Sequence, residues 1–353
     1  MKVLMQDLPT IALATLSRPD GGASFPALCA HGHVWPIASI PGLADVPGTD
    51  LAGVLDQWSR CEPRIVDFCR SLPASGPPDA LALADLQVQL PLRPRQTICI
   101  GANYRRHVIE MMADHEVGSE AGLTSEQRHE RAVRIMDHRA AHGQPYAFIK
   151  PASCLLPPGD DLILPPDSMQ IDWELELAVV IGRPCFRVPR AEALDYVAGY
   201  AIANDISARD RLNRRDIPGM GLDFIAGKGG PGFLPFGPFI VPACFIDDPQ
   251  DLMLELRLND QVMQHESTAD MIFPVATLIE FISTHMMLQP GDIISTGSPA
   301  GNGTHHGRFL QPGDRVEGRI AGLGAQRFSC VAERLAQGAA THRPFVPLEE
   351  PGR

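Results

Sequence analysis

The sequence has little positive charge, no long hydrophobic run and no clustered cysteines. Lysine and arginine together number 30 against 42 aspartates and glutamates, which gives a formal net charge of −12. This balance argues against nucleic acid or an anionic membrane as a partner, because both need clustered basic residues. It does not exclude an anionic substrate, since a bound cation and local basic residues can dominate the field of a site.

Further absences concern the cellular location of the protein. No apolar run reaches the ~18 residues of a membrane span, and the first residues of the chain lack the apolar segment of a secretory signal. The eight cysteines are scattered without a Cys-x-x-Cys pair, a pattern typical of reduced thiols. We therefore predict a cytoplasmic protein that has no membrane partner.

What is present predicts a globular chain of two domains. Hydrophobic residues make up 44% and charged residues 20% of 353 residues, which suffices for a sizeable core. Strand-like segments at 10–16 and 27–36 precede a helical segment at 50–72, which we expect Pro63 to interrupt. Residues 75–78 (SGPP) have the composition of a linker. We predict a small N-terminal α/β domain over 1–78 and a larger domain over 79–353.

The larger domain has the recurring turn residues of a β-rich structure. Pro-Gly pairs recur through the second half of the chain and indicate turns between strands. The main exception is 272–287, where apolar residues at helical spacing predict a helix. Residues 113–145 are charged and rich in histidine, with Thr124 and Gln127 spaced as a capping box. We interpret this segment as a mobile lid or a dimer-edge helix; its histidines lack a metal-ligand spacing.

Acidic and apolar residues alternate in the segment 171–182 (IDWELELAVVIG). On a strand, Asp172, Glu174 and Glu176 would share one face, and the residues between them would face a core. Three carboxylates on one face are costly to bury unless a cation binds them. All-oxygen ligands favour Mg²⁺, Mn²⁺ or Ca²⁺ over zinc. A half-exposed antiparallel strand gives the same alternation, so the segment alone leaves both interpretations open.

A second apolar strand ends in Asn204-Asp205. Strand ends commonly present ligands or catalytic groups from a rigid scaffold, so Asp205 is a candidate third carboxylate. Asn204 is expected in a turn. Arg209 and Asp210 follow, and neighbours of opposite charge are expected to pair with each other.

Two further segments carry candidate catalytic groups. His107 and Glu110 would share a helix face, and a carboxylate beside an imidazole favours a base near neutral pH. From these residues alone an ordinary solvated surface helix is favoured, because Arg105 and Arg106 precede them. Lys228 lies between glycines, where it would hold a substrate carboxylate or an oxyanion, or remain a solvated loop cation.

In order and in content, these segments resemble the fumarylacetoacetate hydrolase superfamily. The resemblance runs from about residue 97 to about residue 317. The motifs that carry it are 101–110 (GANYRRHVIE), 148–151 (FIKP), 172–176 (DWELE), 199–210 (GYAIANDISARD), 235–238 (PFGP), Gln264 with Thr268 and Met271, and 288–301 (LQPGDIISTGSPAG).

The resemblance implies an α+β fold, with a mixed β-roll catalytic domain that binds Mg²⁺ or Mn²⁺, Ca²⁺ being an alternative. Members cleave carbon–carbon bonds in β-diketo acids, decarboxylate or tautomerise oxo acids, or hydrate dienoates, and they are often dimers. Carried over residue by residue, the metal ligands are Glu174, Glu176 and Asp205, the acid/base pair on a short lid helix is His107 and Glu110, and the active-site lysine is Lys228.

The sequence departs from the family pattern at two places. Many members carry a glutamine where Leu212 stands here, which implies a less polar substrate wall. The usual Thr-Gly-Thr-Pro reads Thr296-Gly297-Ser298-Pro299, which keeps a hydroxyl. We expect substrate contacts from Arg209, Leu212, Thr296, Gly297 and Ser298.

Together these observations predict a metal-dependent hydrolase. It would cleave a carbon–carbon bond in a β-dicarbonyl acid, in the catabolism of aromatic or other organic compounds. We expect it to use Mg²⁺ or Mn²⁺ and to act as a homodimer on a small-molecule oxo acid. His107, oriented by Glu110, would activate water, and Lys228 would stabilise negative charge. An oxo-acid decarboxylase or tautomerase, a dienoate hydratase and a metal-organised binding protein are the alternatives.

Overall fold

The computed structural model describes residues 8–72, 81–114, 123–214, 216–217 and 221–345. The strands, in chain order, are β1 (Ile11–Ser17), β2 (Phe25–Ala30), β3 (His33–Pro36), β4 (Leu81–Ala82), β5 (Gln87–Val88), β6 (Thr97–Gly101), β7 (Tyr146–Ile149), β8 (Leu155–Leu156), β9 (Leu162–Leu164), β10 (Ile171–Asp172), β11 (Leu175–Ile181), β12 (Val197–Asn204), β13 (Ser207–Ala208), β14 (Leu234–Pro235), β15 (Val241–Pro242), β16 (Met253–Leu258), β17 (Gln261–Ser267), β18 (Ile293–Ser295), β19 (Arg315–Ile320) and β20 (Gly324–Ala332). The α-helices are α1 (Ala52–Asp56), α2 (Trp58–Ser71), α3 (Arg105–Asp114), α4 (Ser125–His142), α5 (Arg209–Leu212), α6 (Phe224–Lys228), α7 (Val275–His285) and α8 (Gly303–His306).

The N-terminal part forms a five-stranded sheet in the order β4-β3-β2-β1-β5. β1 is buried from Ala12 onward, and Leu13 exchanges backbone hydrogen bonds of 2.7 and 2.9 Å with Ile240 beside the larger sheet. Two of the five strands, β4 and β5, follow residue 78, the predicted domain boundary. The sheet therefore draws on both sides of that boundary, and the division into two domains stays a prediction.

The helical segment predicted at 50–72 is two helices, α1 and α2, and the break lies at Gln57 rather than at Pro63. Gln57 has a non-helical backbone, with ψ at 29°. Pro63 lies inside α2, where it lacks the N–H that would bond the carbonyl of Ser59. The predicted interruption at Pro63 is wrong, because α2 continues through it to Ser71 and packs Trp58, Cys61 and Ile65 into the core.

The site is positioned by a six-stranded sheet in the order β15-β12-β11-β18-β6-β7. β18 and β6 run parallel, and the other pairs are antiparallel. Every residue of β11 and β12 is buried, which excludes the half-exposed strand as an interpretation of the acidic segment. Leu175 pairs with Asn204 and Ala178 with Ser295, so polar residues on three adjacent strands meet at one end of the sheet.

The strand predicted over 171–182 is divided in the structure. Asp172 belongs to β10, which pairs with β13, whereas β11 starts at Leu175 and pairs with β12. Trp173 and Glu174 lie between the two strands. Asp172 is therefore held in a separate small sheet, and it does not continue the face that carries Glu176.

A second five-stranded sheet, in the order β17-β16-β19-β20-β9, completes the mixed β-rich domain. α7 confirms the helix predicted within 272–287; it starts after Pro274, and Val275, Leu278, Ile279 and Ile282 are buried on one face. The α+β class is thus confirmed. No helix among the described residues is both long and apolar enough to cross a membrane.

The predicted insertion contains α4, which packs against α3. The capping box is confirmed, since Thr124 accepts from the backbone of Gln127 and the Gln127 side chain accepts in return. Arg105 of α3 pairs with Asp137 of α4 at 2.6 Å. The lid and dimer-edge roles stay predictions, and of the four histidines in the segment His115 lies outside the described residues.

Candidate active site

Three buried carboxylates converge at the end of the six-stranded sheet. Each of Glu174, Glu176 and Asp205 offers an oxygen, and these oxygens lie within 4.8 Å of one another. Glu176 projects from β11, and Asp205 follows the last residue of β12. The N–H of Asp205 donates to the Glu174 carbonyl at 2.8 Å. The three residues predicted as metal ligands are therefore brought together by the structure.

The sequence predicts Asn204 in a turn, and this prediction is wrong. Asn204 is the buried last residue of β12. Its side-chain oxygen accepts the Glu174 N–H at 2.9 Å. Buried backbone N–H and C=O groups outside regular strands need hydrogen-bond partners. Asn204 provides one for the N–H of Glu174, which precedes the start of β11 at Leu175. It thereby fixes the backbone that carries Glu174.

The loop after β18 holds Glu176. Ser295 Oγ donates to the Glu176 carboxylate at 2.6 Å, and the Gly297 N–H donates to the same oxygen at 2.9 Å. Gly297 has φ at +98°, and a Cβ there would lie 2.8 Å from Asn103 Cβ. A glycine is required because this N–H reaches the carboxylate only from a left-handed, closely approached backbone.

The two hydroxyl residues of this loop make structural hydrogen bonds. Thr296 Oγ1 donates to the Leu177 carbonyl at 2.9 Å, and Ser298 Oγ accepts from Gln264 Nε2 at 2.8 Å. Both side chains are buried. They brace the loop that supports Glu176, and the direct substrate contacts expected of Thr296, Gly297 and Ser298 stay predictions.

Two lysines lie against the carboxylates. Lys228 donates to Glu174 at 2.7 Å and also to Asp205. Lys150 donates to the other oxygen of Asp205 and to the carbonyls of Ile206 and Phe233, at 3.0 and 2.7 Å. Lys228 was expected in the site, and the structure places it there.

Motif spacing alone does not single out Lys150 as a functional residue. One signal in the sequence does: the chain has only three lysines, at positions 2, 150 and 228, although lysine and arginine together number 30. Arginine is the ordinary cation of this protein, so a lysine marks a place that needs a compact ammonium group. Lys150 and Lys228 both contact Asp205.

Asp172 serves a different purpose from the other three acids. Its carboxylate accepts the N–H groups of Trp173 and Gly303, at 2.8 and 2.5 Å, and the Thr304 hydroxyl at 3.1 Å. It also accepts from Arg209 Nε at 2.8 Å. Because its oxygens are saturated in this way, Asp172 anchors α8 and Arg209 instead of joining the carboxylate cluster.

Arg209 bridges Asp172 and Glu174. The predicted local pairing of Arg209 with Asp210 is wrong, because Asp210 turns away and accepts from Ser168 Oγ at 2.7 Å and from the Met169 N–H at 2.9 Å. A helical turn points adjacent side chains in different directions, which separates the two charges. Arg209 thus reaches the carboxylate cluster directly.

The pKa values of the two glutamates are shifted in opposite directions. Burial disfavours the ionised form of Glu174, but the charges of Arg209 and Lys228 outweigh it and lower the pKa of this carboxyl. Burial raises the pKa of Glu176, and the neighbouring Asp205 and Glu174 raise it further. A carboxyl group that holds its proton beside two carboxylates is a group that a cation would deprotonate.

His107 is buried, and burial lowers its pKa to about 4, an effect that Glu174 opposes and that Arg209 and Lys228 reinforce. Its imidazole is therefore neutral at pH 7. Glu110 lies 3.3 Å from Arg106 Nε and 3.8 Å from His305 Nδ1. The hydrogen bond expected between His107 and Glu110 is absent from this part of α3, so their joint role as an acid/base pair stays a prediction.

A cavity of about 580 Å³ opens beside this cluster. Arg209 and Thr304 line it, and both bond Asp172. Met111 lines it as well, one helical turn beyond His107 on α3. Leu212 forms part of the wall, as expected from its replacement of a polar residue, and its neighbour Asn213 lines the cavity too.

The residues present fit a hard divalent cation. The donor set of Glu174, Glu176 and Asp205 consists only of oxygen, which suits Mg²⁺ or Mn²⁺. With Asp172, the cluster holds four carboxylates against the three cations Lys150, Lys228 and Arg209. The cluster thus carries one excess negative charge, and burial together with the neighbouring Asp205 and Glu174 raises the pKa of Glu176. A dication would replace that proton and leave the site net positive.

Comparison with known proteins agrees with this arrangement. Residues 96–331 match the family model described as the C-terminal domain of fumarylacetoacetate hydrolase. The chain belongs to the fumarylacetoacetate hydrolase family. The matched range includes every side chain of the carboxylate cluster and both lysines that contact it.

Relatives of this family member carry several activities in their names. An oxaloacetate tautomerase of Rattus norvegicus is 35% identical over 234 residues, which cover 66% of this chain and 65% of that protein. A probable 2-hydroxyhepta-2,4-diene-1,7-dioate isomerase of Mycobacterium abscessus has a TM-score of 0.67 at 28% identity, over 92% of this chain and 100% of that one. A fumarylacetoacetate hydrolase of Exiguobacterium antarcticum has a TM-score of 0.66 at 27% identity, over the same shares.

Proposed function

We propose that this protein is a metal-dependent tautomerase that interconverts the keto and enol forms of a small 2-oxo acid, oxaloacetate being the simplest candidate. The observation that carries the proposal is the buried cluster of Glu174, Glu176 and Asp205 beside a neutral His107. Enolisation needs a base that is unprotonated at neutral pH and a site that stabilises an enolate. The cluster and His107 supply both.

Glu174, Glu176 and Asp205 would hold Mg²⁺ or Mn²⁺. When bound, such an ion polarises a carbonyl oxygen as a Lewis acid. Gly297 and Ser295 keep Glu176 in place, and Arg209 keeps one oxygen of Glu174 turned toward Asp172. The excess positive charge that results favours an anionic substrate over a neutral one.

His107 would accept the proton from the carbon next to the carbonyl and deliver it to the carbonyl oxygen, which gives the enol; the reverse transfer gives the keto form. Its pKa is low because burial penalises the imidazolium. A carboxylate substrate arriving beside it adds negative charge and opposes that penalty. The base therefore becomes stronger when substrate is present, which suits transfer of a single proton.

Lys228 would stabilise the negative charge of the enolate. Its ammonium group is fixed by Glu174 and Asp205 and lies 5.0 Å from the centre of the Phe148 ring. A donor held in place before the reaction costs no reorganisation when charge develops. Lys150 lies deeper, among backbone carbonyls, and would position Asp205 without touching substrate.

Tautomerisation is favoured over carbon–carbon hydrolysis by the position of Glu110. Hydrolysis needs an oriented, activated water, whereas Glu110 is turned toward Arg106 and His305 instead of His107. The oxaloacetate tautomerase relative, at 35% identity, supports the same choice. Hydrolysis of a β-dicarbonyl acid remains the second candidate, because His107 and Glu110 both lie on α3, whose Met111 lines the cavity, and a similar solved structure is a fumarylacetoacetate hydrolase.

The test follows two products in one experiment. Metal-loaded protein is given oxaloacetate, with enol decay read by ultraviolet absorbance, and benzoylpyruvate, with cleavage products read by chromatography. We expect enol decay above the uncatalysed rate that EDTA abolishes. His107→Ala should lose roughly 10²- to 10⁴-fold in turnover, whereas the exposed His129→Ala on α4 should match wild type.

The two candidates differ in Glu110. If the protein is a hydrolase, His107→Ala and Glu110→Gln should have non-additive effects, because a dyad acts as a unit. If it is a tautomerase, Glu110→Gln should retain most of the activity. Cleavage of benzoylpyruvate without acceleration of enol decay would replace the first candidate by the second, and full activity of His107→Ala would remove both.

A further inference from the structure

Pro344 and Phe345 line the cavity, although the segment 342–345 that carries them follows the family match, which ends at residue 331. The His342 N–H donates to the Asp167 carboxylate. The Arg214 guanidinium lies 4.6 Å from the centre of the Phe345 ring, and the His342 and Phe345 rings are 5.1 Å apart at 82°. Two contacts thus hold this segment against the rest of the protein, and the third is an edge-to-face contact between its own two rings.

The groups that anchor the segment are themselves anchored. Asp167 also accepts from Arg211 of α5. Arg214 is held by Asp216 at 2.8 Å and by Asp223, the N-cap of α6, at 3.0 Å. The cation beneath the Phe345 ring therefore has a fixed position, and the ring is oriented by it.

The cavity that the segment lines has polar and apolar side chains. Its polar lining comprises Gln170, Arg209, Asp210, Asn213 and Thr304. Of these, Arg209 and Thr304 bond Asp172, and Arg209 also bonds Glu174. The apolar wall comes from six of the residues that line the cavity: Met111, Leu212, Leu222, Phe309, Pro344 and Phe345. A volume of about 580 Å³ exceeds what a four-carbon oxo acid fills.

We propose that Pro344 and Phe345 complete an apolar subsite that binds the end of the substrate remote from its oxo-acid group. The inference rests on the proposed function and extends it to a substrate class: 2-oxo acids that carry an aromatic or branched alkyl group. The oxo-acid group would lie toward Arg209, and the apolar group would pack between Phe345 and Leu212. Phe345 is then a residue that determines specificity.

The apolar wall predicts a preference for larger, more apolar substrates over small polar ones. An apolar wall gains little from a small polar substrate, but it gains contact area from each carbon of a larger one. Leu212 lines the cavity where many family members have a polar residue, and the terminal segment adds apolar surface. Two parts of the chain that are more than a hundred residues apart contribute apolar side chains to the same space.

The first measurement is the ratio of kcat/KM for keto–enol interconversion of benzoylpyruvate to kcat/KM for the same reaction of oxaloacetate, both read by ultraviolet absorbance. Phe345→Ala should lower this ratio roughly 10-fold, the scale of a lost apolar contact in a binding pocket. Phe345→Leu keeps apolar volume and should lower it less. Phe186→Ala is the matched control: this half-exposed ring also has an arginine, Arg187, 5.3 Å from its centre, lies outside the cavity lining, and should leave the ratio unchanged.

The second measurement does not depend on turnover. Calorimetry with Mn²⁺-loaded protein compares N-phenyloxamate with oxamate, two unreactive oxo-acid mimics. We expect tighter binding of the phenyl compound by wild type and loss of that preference in Phe345→Ala. An equal ratio in wild type and Phe345→Ala, or equal losses with both ligands, would overturn the subsite. Absence of turnover with an intact binding preference would overturn the proposed reaction and leave the subsite standing.

Discussion

The ammonium group of Lys150 binds the Asp205 carboxylate with 0% and 2% of the two side chains exposed. The other Asp205 oxygen binds Lys228. Asp205 is therefore the centre of a buried network that joins β7, β12 and α6. Removal of one of these three side chains leaves a buried charge that neither a partner nor water compensates.

Lys150→Met should destabilise the protein strongly. Breaking a buried ion pair by removing one partner costs about 3–5 kcal/mol, because the carboxylate and two carbonyls lose their donor. Urea unfolding measures the difference. Arg95→Met is the control, since Arg95 and Asp56 form an exposed pair at 3.1 Å of a kind that contributes about 0–1 kcal/mol. Equal losses in the two variants would contradict a structural role for Lys150.

Glu176→Gln should abolish metal binding while keeping the fold. The amide oxygen can still accept from Gly297, but the ligand charge is gone. The three carboxylates that remain, Asp172, Glu174 and Asp205, are neutralised by Lys150, Lys228 and Arg209. Wild type should gain about 2.7 kcal/mol of stability at a metal concentration 100 times Kd, and the variant should gain none. Glu126→Gln, on the exposed first turn of α4, should behave as wild type. A stability gain from Mn²⁺ in Glu176→Gln would exclude this site.

Gly297→Ala should weaken both stability and metal binding. The new Cβ meets Asn103 Cβ at 2.8 Å, at a backbone with φ +98°, so the loop must shift and the N–H moves away from Glu176. Gly313→Ala separates backbone strain from the steric contact of the added Cβ, because Gly313 has φ +96° with no atom within 4 Å of an added Cβ. Both variants should lose about 1–3 kcal/mol from backbone strain, but only Gly297→Ala should lose metal affinity. Equal metal affinity in the two variants would show that the loop does not position Glu176.

The metal-free protein should lose stability in acid through His107. Its folded pKa of about 4 lies below the ordinary value of 6.5, so the unfolded chain binds the proton first as pH falls. The free energy of unfolding is full above about pH 6.5 and decreases as pH falls toward about 4, by up to about 3 kcal/mol at 1.36 kcal/mol per pKa unit. His107→Gln should flatten this part of the profile, and His129→Gln should not. Parallel profiles for wild type and His107→Gln would contradict the burial of a neutral imidazole.

Local patterns predict much of the secondary structure because they depend on neighbours along the chain. The capping box at Thr124 and the helix α7 follow from spacings of three and four residues. The alternation over 171–182 marks strand residues, but it places Asp172 with Glu174 and Glu176. Pairing with β13 instead of β12 decides otherwise, and that choice involves residues more than thirty positions away. Homodimerisation and a cytoplasmic location stay predictions.

The sequence by itself determined the family, since the motifs from 101–110 to 288–301 occur in the family's order. Through that resemblance it predicted the α+β class and singled out the acids Glu174, Glu176 and Asp205. Only the tertiary structure decided which charges compensate them. Lys150 reaches Asp205 across 55 positions, and Ser295 reaches Glu176 across 119. Phe345 enters the cavity of Leu212 from outside the family motifs. Such contacts depend on how distant strands pack, because a buried charge is paired with whichever opposite charge lies next to it in the folded protein. The spacing of neighbouring residues along the sequence does not predict that position.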